Sequence, residues 1–245
     1  MTLPAIIIIL LLIGLISYYN KWKQSATASN LPKKLRVPAE YAIPDTPVSF
    51  GYKCQWFAVY TTDTKKLAEW LGVKDATPCN WKNGIDYAYD DSIFISPPVD
   101  GWCLAISRMQ LPVAQTEEDA RLIRTMVMDL SKEFSRAQFF GTYRVVGYDC
   151  WMKAENGRLE RAFASADGAN TIAEGEPTPV EQKYNLINTL SDEAINDPDY
   201  FDRKDLQWPD ESMTMEIAAA WSVDTQNLDA RKDIAPALGL VGVLA

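Results

Sequence analysis

The 245-residue chain contains no histidine. That absence removes the imidazole general base, the Ser-His-Asp triad, the Cys-His nucleophile pair and the His-ligated zinc proteases. Cysteine is sparse too: Cys54, Cys79, Cys103 and Cys150 are scattered, with no CxxC spacing, which argues against a structural zinc site. They read as small buried hydrophobes, with one or two bridges open to them if the domain were exported. There is no GxxxxGK[ST], no GxGxxG after a strand and no GxSxG, so a phosphate cradle, a dinucleotide site and a nucleophile elbow lack support. Positive charge is also short, 24 Lys and Arg against 33 Asp and Glu, which speaks against a nucleic-acid partner. The expectation is of no catalytic residue set, no metal and no cofactor.

What is present begins with an apolar run. Leu3 to Tyr19 carries no charge, and as a helix it would extend about 26 Å, enough to span a bilayer. Tyr18, Tyr19 and Trp22 follow with Lys21 and Lys23, the aromatic and lysine pattern of a membrane interface. A cleaved signal would want Lys or Arg ahead of the run, and none precedes it; the Ala-Thr-Ala at 26–28 lies behind two lysines. A retained anchor is the expectation. Lys21, Lys23, Lys33, Lys34 and Arg36 all follow the run with no acid among them, and this places the domain in the cytoplasm, at the bacterial inner membrane. Removing those five from 24 leaves 19 basic against 33 acidic residues from Val37 onward, an acidic body near −14 on a basic stalk.

Composition divides the chain into an anchor over 1–20, a basic, proline-containing linker over 21–47 and a globular domain over 48–245. Within the domain, Gln55–Thr61 reads as a strand, and Asp63 or Thr62 caps a short helix with Leu67, Trp70 and Leu71 inward, closed by Gly72. Asn80–Tyr89 reads as a second helix, then Ser92–Ser96 and Trp102–Ser107 as a hairpin. The clearest helix spans Glu117–Phe134, framed by Thr116 and Asp119, with Ile123, Val127, Leu130 and Phe134 on one face. Gln138–Val146 is strand-rich, and Asn156-Gly157 between Cys150–Ala154 and Arg158–Ala164 is a strong hairpin signal. Thr178-Pro179-Val180-Glu181 predicts a helix start, and Met213–Trp221 a last helix with Met and Trp in the core. The predicted fold is α+β: a largely antiparallel sheet with helices packed on it, preceded by one transmembrane helix.

Candidate chemistry is thin. The carboxylate pairs Asp90/Asp91 and Glu174/Glu176 would serve acid–base work only if brought together, and neighbours on a strand point apart. Cys54 beside Lys53 meets the same objection. The acidic run Asp192–Glu216 fails the calcium-loop pattern counted from Asp197, because Asp202 and Trp208 stand where Gly and Glu are needed; a solvated acidic loop is expected. The segment Trp81–Trp102 gathers aromatics around Gly84, Gly101 and Pro97-Pro98. Core filling is the bland account; the sharper one is a binding cleft of Trp81, Tyr87, Tyr89, Asp90, Asp91 and Trp102.

The stretches FGYKCQWFAV, NWKNGIDYAYDDSIFISPPVDGWCLAI, FFGTYRVVGYDCWMKAENGRLERAFA, EGEPTP and AAAWSVDTQNL resemble a family of uncharacterised bacterial proteins, and the likeness covers most of the chain from Phe50 on. The resemblance implies no activity and no catalytic residue. The apolar amino terminus departs from that family's pattern of soluble chains. In size and texture the chain is also similar to immunity proteins that neutralise toxins passed between bacteria, an analogy rather than a homology. The expected function is a non-catalytic, membrane-anchored binding protein, with a protein partner such as a basic toxin and with lipid around residues 3–19. The alternative is a membrane-tethered enzyme using Asp or Glu carboxylates. A reporter fused after Ala245 is expected to be active if it works in the cytoplasm and silent if it requires export; the reverse result overturns the orientation.

Overall fold

The computed structural model describes residues 35–244. The predicted transmembrane helix, residues 1–20, and the first part of the linker lie outside the described residues. No described helix is long and apolar enough to cross a membrane.

Nine strands form one sheet: β1 Cys54–Tyr60, β2 Val73–Cys79, β3 Ile93–Ile95, β4 Trp102–Ser107, β5 Arg136–Tyr143, β6 Tyr148–Glu155, β7 Arg158–Ala166, β8 Ala169–Glu174 and β9 Gly239–Leu244. Their order is β2-β9-β3-β4-β1-β5-β6-β7-β8, and every pairing is antiparallel. The helices are α1 Thr64–Trp70, α2 Trp81–Tyr89, α3 Glu117–Phe134, α4 Asp192–Asn196 and α5 Glu211–Trp221. The α+β expectation, a large antiparallel sheet with helices on it, is what the domain shows.

Both faces of the sheet are covered, and the central strand shows it: the first six residues of β1 are all buried. On one face Phe57, Val59, Phe139, Met152 and Ala164 meet Ile123, Val127, Leu130 and Phe134 of α3, with Leu67 of α1 beside them. Alternation along each strand sends Trp56, Phe140, Trp151 and Phe163 to the other face. There Trp56 stacks on Phe140 at 5.2 Å, Phe140 meets Trp221 of α5 at 5.7 Å, and Trp151 stacks on Phe163 at 4.5 Å. Farther across, α2 seats Trp81 edge-on to Phe94 of β3 at 5.7 Å. Gly84 permits this approach, since a Cβ there would fall 2.3 Å from the Phe94 ring.

Local signals explain most of the boundaries. Thr116 accepts from Asp119 N at 3.1 Å and starts α3, whose first turn holds three acids facing the positive helix end. The helix stops at Ser135, whose φ is +68°. Asn156 and Gly157, with φ of +48° and +79°, make the tight β6–β7 turn. Asp63 and Asn80 cap α1 and α2 through Lys66 N and Asn83 N. The structure departs from the expected pattern at three places. Trp70 is 36 % exposed instead of inward. Residues from Ala39 to Pro47, expected as linker, hold structure: Asp45 accepts from Trp81 N and Lys82 N at the start of α2, and pairs with Ala237.

The third departure is the helix expected at Thr178, where only a turn forms. Gln182 N bonds Thr178 O at 3.0 Å, but the Glu181 side chain swings into the sheet face and Leu186 goes on to bridge Gln207. Glu181 is 1 % exposed. One of its carboxylate oxygens accepts from Trp151 Nε1 and Arg161 Nε, each at 2.8 Å. The other accepts from Thr178 N at 2.8 Å and Thr178 Oγ1 at 2.7 Å. Arg161 spends Nη1 on the carbonyls of Glu174 and Gly175. Removing one partner strands the other without water. Glu181→Ala should therefore lower unfolding free energy by about 3–5 kcal/mol in a urea titration, and the double change with Arg161→Met should recover a large part of that loss. Equal losses in the single and double variants would remove the buried pair from this role.

Candidate functional site

The aromatic segment conspicuous in sequence is mostly interior. Trp81 is fully buried, and Trp102 is 6 % exposed with its ring edge-on to Tyr60 at 5.3 Å. Tyr87 is half-buried and lies 6.3 Å from Tyr41. Asp90 and Asp91 are exposed beyond the end of α2 and share no cavity with the aromatics. The structure does not bring these six residues together as one cleft. Tyr89 nonetheless acts as a positioning residue, since its hydroxyl accepts from Gly51 N at 3.2 Å and donates to Tyr52 O at 2.8 Å. It thus fixes the turn that presents Tyr52 and Lys53.

That turn forms one wall of an open groove of about 880 Å³. Arg144 and Gly147, at the β5–β6 connection, and Asp149 of β6 form the floor; Pro209, Asp210 and Glu211, at the start of α5, form the opposite wall. Asp210 caps α5 through Met213 N at 2.9 Å. Glu211 lies 4.0 Å from the Arg144 guanidinium through one oxygen, while its other oxygen is buried without a partner. Asp149 is 3 % exposed and accepts from Thr214 Oγ1 at 2.9 Å. Burial pushes its carboxyl up to about 7; the Thr214 bond works against the shift, and the carboxylates of Asp210 and Glu211 add to it. The groove thus gathers three acids and two cations, Lys53 and Arg144, and one of the acids is a half-titrated carboxyl.

Immediately ahead of that wall runs an excursion from β8 to α5. It is internally tied: Tyr200 is buried and its hydroxyl accepts from Asn188 N at 2.9 Å, and Arg203 reaches Asp205 at 2.7 Å and pairs with Glu193. Its outer side leaves Ile195 70 %, Phe201 55 % and Trp208 47 % exposed. Around them Asp192, Glu193, Asp199, Asp202, Asp205 and Asp210 are also exposed. Among the described residues, no group of three Cys, Asp or Glu is placed to hold a metal ion.

The cysteines offer no nucleophile. All four are buried and free. Burial pushes the thiols of Cys54 and Cys103 up to about 12 and that of Cys79 up to about 11, and it raises Cys150 as well. Thiolate chemistry at neutral pH has no source here. Sequence reasoning misses Asp149, although an acid inside an otherwise buried strand, next to Cys150, is the signal that finds it. It reaches Asp210 and Glu211 only as members of an acidic run.

The chain matches no family model, no curated protein and no solved structure, so its function rests on the geometry above.

Asp149 gives a pH prediction with a definite sign. Its folded value lies above that of the unfolded chain, so between about pH 4 and 7 the folded state holds the extra proton and stability falls as pH rises. Asp149→Asn keeps an oxygen for Thr214 and removes the charge. Its stability advantage should be near zero at acid pH and grow to about 2–4 kcal/mol above pH 7, read from urea titrations across that range. A constant difference across pH would place the titration elsewhere.

Proposed function

We propose that this is a non-catalytic bacterial binding protein, held at the inner membrane by residues 3–19 with its domain in the cytoplasm, and that it blocks a cationic protein partner as an immunity protein blocks a toxin. The observation that carries the reading is the excursion ahead of α5. Exposed Phe201 and Trp208 lie among six exposed carboxylates on a segment tied down by Tyr200 and Arg203. Large aromatics set in a polar rim are the side chains that dominate protein contacts. Surrounding negative charge steers a basic partner and raises its rate of encounter. The acidic excess from Val37 onward extends the same field over the whole domain.

The tethered-enzyme reading keeps one supporting observation, the raised carboxyl of Asp149 beside Glu211. Against it stand the open groove and the engagement of Asp149 by Thr214. A turnover abolished by Asp149→Asn would favour that reading.

The test uses the full-length protein and the exported basic protein encoded beside it. Calorimetry should show binding that weakens as salt rises from about 0.05 to 0.3 M. Phe201→Ala with Trp208→Ala should weaken it by about 2 kcal/mol or more, near thirtyfold, with an unchanged melting temperature. Absence of binding, or binding indifferent to both changes, would overturn the proposal.

A further inference from the structure

A second, smaller cavity lies at the carboxyl end of α5, whereas the groove lies at its amino end. It measures about 140 Å³, and Trp102, Arg136, Gln138, Lys153, Glu155 and Trp221 line it, with Glu160 at its edge. Arg136 and Glu155 sit directly opposite each other on β5 and β6. Opposite charges in such a position ordinarily pair. Here they do not. The Arg136 guanidinium instead lies over Tyr60, 3.7 Å from the ring centre, and 5.2 Å from that of Trp102, with no ion pair among the described residues. Glu155 likewise has none among them. Lys153 is committed, bonded to Glu160 at 2.9 Å and set over Trp221 at 5.2 Å.

Gln138 supplies the decisive atom. It is 5 % exposed, and its amide nitrogen donates to Trp221 O at 3.1 Å, which orients the group. Its Oε1 is buried with no partner. A buried carbonyl without a donor is costly and rare, and it calls for a group that fills the site. The cavity thus presents a guanidinium lacking an anion, a carbonyl lacking a donor and a carboxylate lacking a cation, between two indoles.

We propose that this cavity binds a small zwitterionic amino acid, its carboxylate on Arg136 and its ammonium between Gln138 Oε1 and Glu155. A simple anion would leave Gln138 unmet and face Glu155; a simple cation would face Arg136. A skeleton carrying both charges satisfies all three groups. The volume sets the size, since pockets for drug-sized ligands run to about 300–1,000 Å³ and this one admits a molecule of the glycine, alanine or serine class. The site is independent of the protein-contact surface at the excursion, so either can fail without the other.

The full-length protein is titrated with glycine and alanine while the indole N–H resonances of Trp102 and Trp221 are followed by NMR. Acetate, ethylamine and N-acetylglycine serve as single-charge controls. Both resonances should shift with the zwitterions, with a dissociation constant of about 1 mM or tighter, and the controls should bind at least about tenfold more weakly. Arg136→Gln should cost about tenfold or more, and Gln138→Leu, which removes the orphaned carbonyl and favours an apolar interior, should lose binding while the protein stays folded. An equal response to acetate, an equal response to ethylamine, no shift with either amino acid, or wild-type affinity in Gln138→Leu would each overturn the proposal.

Discussion

Glu181 brings a carboxylate to a place that water does not reach, between the aromatic face of the sheet and the chain that covers it. Such a group is tolerable only when its oxygens are fully supplied with donors. Trp151, Arg161 and Thr178 provide four, drawn from two strands and from the turn itself. The cost of burial becomes a positional constraint: no other arrangement of residues 175–184 satisfies the carboxylate. Trp221 extends the constraint, because its indole donates to Thr178 Oγ1 at 3.3 Å and so ties the end of α5 to the same point.

The consequence is a covering layer that is fixed at its ends and free between them. Helices suffice on the α3 side, where one long amphipathic element crosses β5, β6 and β7. On the opposite side α2 and α5 leave a gap that irregular chain must close. Irregular chain cannot bury its backbone without local partners, so the segment from Pro177 to Pro209 stays near water and shows its side chains there. The exposed Phe201 and Trp208 follow from that geometry. A rigid attachment at Glu181 lowers the ordering cost of a contact made farther along the same segment.

Legibility follows the range of the interactions. α3 and the β6–β7 hairpin are readable to the residue or nearly so, because caps, a helical apolar stripe and an Asn-Gly turn all act within a few positions. β2 and β9 are not. β2 is an edge strand of mixed polarity containing Pro78, and Gly239–Leu244 finds its partners only across most of the chain. The turn at Thr178 is misread for a related reason: its local signals favour a helix, while the carboxylate of Glu181 is claimed by residues on β6 and β7. The aromatics from Trp81 to Trp102 are conspicuous in sequence because a two-sided sheet needs large side chains on both faces. The residues with unmet polar atoms, Asp149's neighbour Glu211 and Gln138, are ordinary in sequence and become distinctive only when burial is known.

Helix α5 connects these observations. Its sequence, ESMTMEIAAAW, is rich in small and apolar residues, and Met213, Met215, Ile217 and Ala218 are all buried. Apolar packing of that kind is non-directional and would tolerate sliding or rotation along an aromatic surface. Two directional contacts prevent it. Thr214 donates to Asp149 near the amino end, and Trp221 donates to Thr178 at the carboxyl end. The groove and the small cavity lie at these same two ends, so each borrows its shape from a hydrogen bond that also sets the register of the helix. Buried polar groups in this domain therefore hold the structure in place before they do anything else. The groups left over once the register is set, Glu211 Oε1 at one end and Gln138 Oε1 at the other, are where recognition chemistry has room to act.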